Sequence, residues 1–185
     1  GVPVLDAEMT PQEKPHVRSL GLLVKAAALC NDATLEASED GKGRYKAIGD
    51  PTEGALIIAA AQLGMLKPTL DGRWPRIAEA PFTSERKRMT TVHRVNVLAE
   101  QSDTPWRNAP YVAFCKGAVD EMLPLASYVW SGDQAVPLSA ELRQRILTAN
   151  NRFAQDGQRV LGVAFRALSA LPEKVDETNL EQDLT

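Results

Sequence analysis

The chain is poor in the residues on which a self-contained metal or thiol chemistry would rest. It has two histidines, His16 and His93, and neither is grouped with Cys or carboxylate residues at ligand spacing, which argues against zinc. Its two cysteines, Cys30 and Cys115, lie in apolar segments without C-x-x-C spacing. Buried free thiols in a reducing, cytosolic compartment are the expected outcome. Long hydrophobic runs are missing too. "ALIIAAA" (55–61) and "LLVKAAALC" (22–30) fall well short of the roughly 20 residues that cross a bilayer, so no span is predicted. The opening "GVPVLDAEMT" has neither the basic start nor the apolar stretch of a signal peptide.

Catalytic signatures are equally scarce. "GKGRYK" (41–46) has the wrong spacing for a phosphate loop and no Ser or Thr after a lysine, and reads as a flexible turn. No G-x-S-x-G elbow occurs, and no Ser, His and Asp set can be assembled. A stand-alone kinase or hydrolase therefore has little support. Net charge is −3, from 21 basic and 24 acidic residues, which excludes nucleic-acid binding through whole-domain charge.

What is present is an ordinary globular composition, 44% hydrophobic and 24% charged over 185 residues, enough for one domain with a sizeable core. Residues 1–15 read as a Pro-rich lead-in, 16–170 as the domain and 171–185 as an acidic exit segment. Apolar residues recur at helical spacing from His16 to Asn31. "NDATLEASEDGKGRYKAIGD" (31–50) reads as polar loop with a short strand near Tyr45 to Ile48. In "DPTEGALIIAAAQLG" (50–64), Asp50 suits an N-cap, Pro51 the first helical position and Glu53 the third position of a capping box, while Gly64 ends the helix. "WPRIAEAPF", "KRMTTVHRVNVL", "YVAFCKG" and "QRVLGVAFRAL" alternate as half-buried strands. "SYVWSGDQAVPL" predicts a hairpin turning at Gly132 and Asp133. A last helix from Ser139 to Gly157 carries Leu142, Ile146, Ala149 and Phe153 on one stripe. The sum is an α+β fold: a twisted antiparallel sheet flanked by helices.

One stretch, "EAPFTSERKRM" (79–89), does not fit ordinary core patterning, because Phe82 sits between a proline and a charged run. It reads as a solvated loop with an incidental Phe, a basic patch for nucleic acid, or a platform on which a planar ligand stacks beside cationic groups.

Five stretches in order, "LCNDA" (29–33), "GDPTEGAL" (49–56), "PFTSERKRM" (81–89), "CKGA" (115–118) and "GQRVLGVAF" (157–165), resemble the nucleotide-binding domain of P-type ATPases. These cation pumps phosphorylate themselves on an aspartate, and the likeness is strongest to the subgroup of calcium and sodium/potassium pumps, with calcium the preferred ion. "EQDLT" (181–185) is similar to the E-x-D-L-T stretch through which the family's chain leaves this domain. The family's D-K-T-G-T-L-T aspartate and its T-G-D and G-D-G-x-N-D motifs are not in the sequence. The resemblance therefore implies an excised, cytoplasmic-side domain, monomeric in isolation, that binds ATP (as Mg-ATP) and ADP without turnover. Its partners would be the phosphorylation and actuator domains of the same pump.

The resemblance also implies roles for individual residues. Phe82 would stack on adenine, and Glu53 would accept from its amino group, beside its alternative as a capping residue. Lys116 would lie deep in the pocket, with Gly117 and Ala118 allowing close approach of ligand to backbone; the alternative is a solvated strand end. Arg159 would contact phosphates, and Leu161, two residues on and on the same strand face, would wall the base. Lys87 and Met89 match positions beside the aromatic. Ser84 departs from the calcium pumps, which carry arginine there, so a phosphate contact is missing or comes from Arg86 or Arg88. The rival reading is a non-nucleotide module that binds acidic partners through residues 84–88.

Overall fold

The computed structural model describes residues 14–37, 45–96 and 104–185, with side chains from Arg18 onward. The lead-in to residue 13, the "GKG" turn and the end of the "VNVL" strand lie outside the described residues.

Helix α1 (Lys14–Leu29) runs into a short antiparallel pair, β1 (Thr34–Ala37) and β2 (Tyr45–Ile48). β1 falls in the segment read as loop, because its four residues offer too little alternation to register. Helix α2 (Pro51–Gln62) starts as expected. Asp50 accepts from the backbone N–H groups of Thr52 and Glu53, Pro51 occupies the first turn, and Gly64 leaves the helix at φ +76°. A short helix, α3 (Lys67–Arg73), was not legible in "LKPTLDGR". It is held by Pro68 in its first turn and by buried Leu70.

The main sheet is antiparallel, ordered β3 (Arg76–Thr83), β4 (Arg88–Arg94), β5 (Tyr111–Gly117), β8 (Gly162–Leu168). Between β5 and β8 the chain makes α4 (Val119–Met122), a 3-10 turn, the hairpin β6 (Tyr128–Ser131) and β7 (Gln134–Pro137), and α5 (Ala140–Gln155). Gly132 and Asp133 both have positive φ, the requirement of a two-residue hairpin turn. Ser139 caps α5 as expected, but none of that helix's residues is buried and Phe153 is exposed. Its apolar stripe is therefore not a core face.

Each face of the sheet carries its own core. On one, Met89, Val112 and Phe114 pack with α1, α2, Trp74 and Trp106, and Trp106 meets Phe114 edge-on at 5.0 Å. On the other, Ala80, Val92, Ala113, Cys115 and Ala164 meet Leu180 and Leu184. The exit segment is thus part of the core at those two leucines. α6 (Glu177–Leu180), capped by Asp176, aims Leu180 inward, and Thr185 exchanges backbone bonds with Phe165. Both cysteines are buried free thiols, as expected, on opposite faces. Burial pushes Cys30 up to about 11 and Cys115 up to about 12, so neither is a nucleophile near neutrality.

Candidate functional site: a carboxylate, a lysine and an exposed ring on one face

The site begins at the N-terminus of α2. Glu53 does not turn back to complete a capping box. Its Oε1 accepts from Lys116 Nζ at 2.7 Å and its Oε2 from the Asp32 N–H at 2.9 Å. "LCNDA" makes this possible. Asn31, fully buried, donates to the Glu53 carbonyl at 3.0 Å while its own Oδ1 accepts from the Ala33 N–H at 2.9 Å. The end of α1 therefore brackets Glu53 by backbone and side chain together. Arg76 reinforces the bracket by pairing with Asp32 at 2.6 Å and donating to the Asn31 carbonyl at 2.7 Å. These supporting roles of Asn31, Asp32 and Arg76 were not legible in the sequence. The only signal was that Asn31 and Asp32 end the first helix within a recognised stretch.

Lys116 is not a solvated strand end. Its side chain is 6% exposed, and a buried ammonium needs the carboxylate that Glu53 supplies. Glu53 keeps 16% exposure and, with four lone-pair sites of which two are used, retains acceptor capacity toward a ligand.

β-Sheet register explains Phe82. Ala80 pairs with Thr90 but Thr83 pairs with Arg88, so the single residue Met89 faces both Pro81 and Phe82 across a bulge. Bulges and prolines are tolerated on edge strands, and β3 is one. Met89 in turn pairs with Lys116, and Lys116 with Val163. Cross-strand partners share a face. The bulge thus turns Phe82 onto the Met89–Lys116 face, two strand spacings or about 10 Å from the lysine. At 58% its exposure is the greatest among the large hydrophobics described. Met89 itself is 3% exposed and floors this row as core.

The charged run after Phe82 divides. Ser84 is exposed on the turn, and Lys87, at φ +49°, pairs with Glu121 at 3.2 Å. Arg86 and Arg88 are bound on the opposite face by Glu181, at 2.6 and 2.7 Å. That geometry corrects the expectation that either arginine reaches the phosphates in place of an arginine at position 84. It also corrects the picture of residues 84–88 as a basic patch, since two of the three cations there are spent on a carboxylate that is 1% exposed.

Gly117 has a different reason to be glycine than ligand approach. A methyl there would sit 2.5 Å from the Lys87 carbonyl oxygen and 2.7 Å from Arg88 Cα, so the missing side chain admits the neighbouring strand. Ala118 follows as the N-cap residue of α4 and donates its N–H to the Lys87 carbonyl at 3.0 Å. Arg159 and Leu161 precede β8 rather than share a strand face. Arg159 is exposed and near enough to Asp50 to help hold that carboxyl below its ordinary range, the larger cause being the Glu53 N–H bond. Leu161 lines an apolar cavity of about 540 Å³ with Leu20, Leu23, Met122, Trp130 and Ile146, which none of Glu53, Phe82 or Lys116 borders. No helix among the described residues is long and apolar enough to cross a membrane.

Comparison with known proteins matches the sequence of this chain to a family. The sequence model described as "P-type ATPase, cytoplasmic domain N" covers residues 19–185. Calcium-transporting ATPase 1 of Bacillus cereus is 31% identical over 163 residues, 88% of this chain and 16% of the relative. "Probable cation-transporting ATPase F" of Mycobacterium tuberculosis is 35% identical over 153 residues, 82% of this chain and 15% of the relative. The calcium-transporting ATPase of Bacillus subtilis is 32% identical over 158 residues, 85% and 16%. The chain spans about 15% to 16% of the length of these relatives. With the family model matching nearly the whole chain and an α+β fold to go with it, the protein belongs to the P-type ATPases, as their cytoplasmic domain N.

Proposed function

We propose that this domain holds ATP, as Mg-ATP, by its adenine ring and presents the terminal phosphate to a catalytic aspartate in the phosphorylation domain of a cation pump. Phe82 supplies the stacking face; Glu53 accepts from the adenine amino group through a free lone pair; Lys116 fixes the position of Glu53. Lys87, Ser84 and Arg159 stand toward the phosphates, Met89 floors the row between Phe82 and Lys116, and Gly117 and Ala118 hold the backbone of Lys87 close to β5. The observation that carries this reading is the bulge, which leaves an aromatic ring in solvent on the face that holds the Glu53–Lys116 pair. Stacking on an exposed ring contributes about 1 to 3 kcal/mol per base and needs no closed pocket.

Among the described residues no glycine-rich phosphate cradle lies beside the site, so the grip is on the base and the phosphates project outward; magnesium arrives with them. Such a domain contributes positioning, converting an encounter into an intramolecular transfer. The nucleophile lies in another domain, so the isolated chain binds ATP and ADP without turnover. The names of several relatives point to calcium as the cargo. Amide NMR titration with ATP of the wild type, Phe82→Ala and Lys116→Ala tests the site. Shifts should cluster at Glu53, Phe82, Lys116 and Arg159 and weaken in both variants. Their absence, or magnesium-dependent phosphate release by the isolated chain, would sink the proposal.

A further inference from the structure

We propose that Glu181 is a positioning residue for nucleotide binding, setting the Phe82 ring from the opposite face of the sheet. This rests on the adenine-stacking role of Phe82 given above. The Glu181 carboxylate is 1% exposed and accepts three bonds: from Arg86 Nη1 at 2.6 Å, Arg88 Nε at 2.7 Å and Thr90 Oγ1 at 2.8 Å. The arginines do not stop there. Arg86 Nη2 donates to the carbonyl of Pro81, the residue before Phe82, and Arg88 Nη1 donates to the Arg86 carbonyl at 3.1 Å across the turn. A continuous chain of bonds thus runs from Glu181 through Arg86 to the peptide joining Pro81 to Phe82. That peptide lies in the bulge that turns the ring to the ligand face.

Glu181 is itself anchored. It follows α6 directly, with Leu180 before it and Leu184 after it both fully buried, so the carboxylate is fixed to the sheet. Burying a carboxylate with two guanidiniums is a poor way to gain stability, because desolvation offsets most of the attraction. What a buried network of this kind does provide is one defined geometry, here the backbone path of residues 81 to 90. Phe82 itself is 58% exposed and has little packing to hold it in place. Its orientation therefore depends on the backbone beneath it, and that backbone is held by Arg86.

The test is a double-mutant cycle on the chain of residues 1–185. Adenosine and ATP affinities are measured by NMR titration for wild type, Glu181→Gln, Phe82→Ala and the double variant. Glu181→Gln keeps the shape and removes the charge. It should weaken adenosine and ATP alike by about threefold to tenfold, shift the Phe82 amide and ring resonances of the free protein, and leave those of Glu53 and Lys116 in place. In the Phe82→Ala background it should have no further effect on affinity. Equal losses in both backgrounds would mark a merely structural role, and unchanged affinity in a folded Glu181→Gln protein would overturn the inference while leaving ATP binding by wild type intact. Thr90→Val and Arg86→Lys enter the same cycle, so a Glu181→Gln chain that does not fold still leaves two arms that decide. If wild type fails to bind adenosine, the nucleotide reading falls, and this inference with it.

Discussion

The two faces of the central sheet each hold one buried or half-buried carboxylate that binds cations, and they use it differently. Glu181 has three of its four acceptor positions taken, by two guanidiniums and a hydroxyl, on oxygens that solvent does not reach. Glu53 takes one ammonium and one backbone N–H and keeps part of its surface in solvent. The same functional group is structural where its oxygens are closed off from solvent and available to a ligand where they are not. The difference is set by the neighbours: the closed face receives Arg86 and Arg88 from the hairpin, the open one receives only Lys116. Charge count alone would have assigned the hairpin arginines to the ligand.

The largest break of this comparison is Glu181→Ala. It leaves Arg86 and Arg88, 17% and 14% exposed, without their counter-charge. A loss of about 3 to 5 kcal/mol in urea unfolding is expected. Glu53→Gln, by contrast, should cost about 1 to 3 kcal/mol: its single amide oxygen keeps one of the two bonds, from Lys116 or from the Asp32 N–H, and the partly open site lets water reach the group left over. Equal costs would erase the distinction between the faces.

Next comes acid. His93 lies on the same face as Met89 and Lys116, fully buried, its Nδ1–H donating to the Trp74 carbonyl at 2.7 Å and its neutral Nε2 accepting from the Thr91 hydroxyl at 2.9 Å. Burial pushes it down to about 4. The unfolded chain therefore takes up a proton near 6.5 while the folded one does not. Stability contributed by neutral His93 is complete above pH 6.5 and is lost as the pH falls toward 4, by about 3 kcal/mol. Urea midpoints across that window should fall steadily, and the slope should largely vanish in His93→Gln. A flat wild-type profile would mean that this face tolerates a second charge away from Glu53.

The elements of the fold were mostly legible because their signals are local. Asp50-Pro51 announces α2, Gly132-Asp133 the β6–β7 hairpin, and β-rich alternation the four strands. The closing segment was not, because Leu180 and Leu184 are buried singly and make no period; only the folded sheet gives them a place. The same holds for the site. Phe82, Glu53 and Lys116 stood out, yet no residue pattern tells that Arg86 and Arg88 turn to the other face. That depends on a bulge displacing one residue of register and on a carboxylate 95 residues from Arg86 along the chain.

Phe82→Ala sharpens the comparison from the ligand side. The ring buries little in the free protein, so thermal stability should change by less than about 0.5 kcal/mol. Adenosine affinity should fall by about 1 to 3 kcal/mol, which is about fivefold to 150-fold in the dissociation constant. Calorimetry and NMR titration of one sample separate the two. A large stability loss with unchanged affinity would return Phe82 to the core and leave the open face without a platform.

The smallest effect concerns Asp50, which joins the two kinds of carboxylate. It is exposed, caps α2 through Thr52 and Glu53, and lies within reach of Arg159. Asp50→Ala removes a helix cap worth about 1 kcal/mol, and urea unfolding should record that loss at neutral pH. The same change frees Arg159 from an anionic neighbour. If Arg159 serves phosphates, removing Asp50 takes away a repulsive charge beside them, so ATP should lose less affinity than adenosine, or gain. Asp50→Asn keeps the cap and drops the charge, and should show the ATP effect without the stability loss. Identical responses of ATP and adenosine in Asp50→Asn would place Arg159 away from the phosphates and confine the open face to Glu53, Lys116 and Phe82.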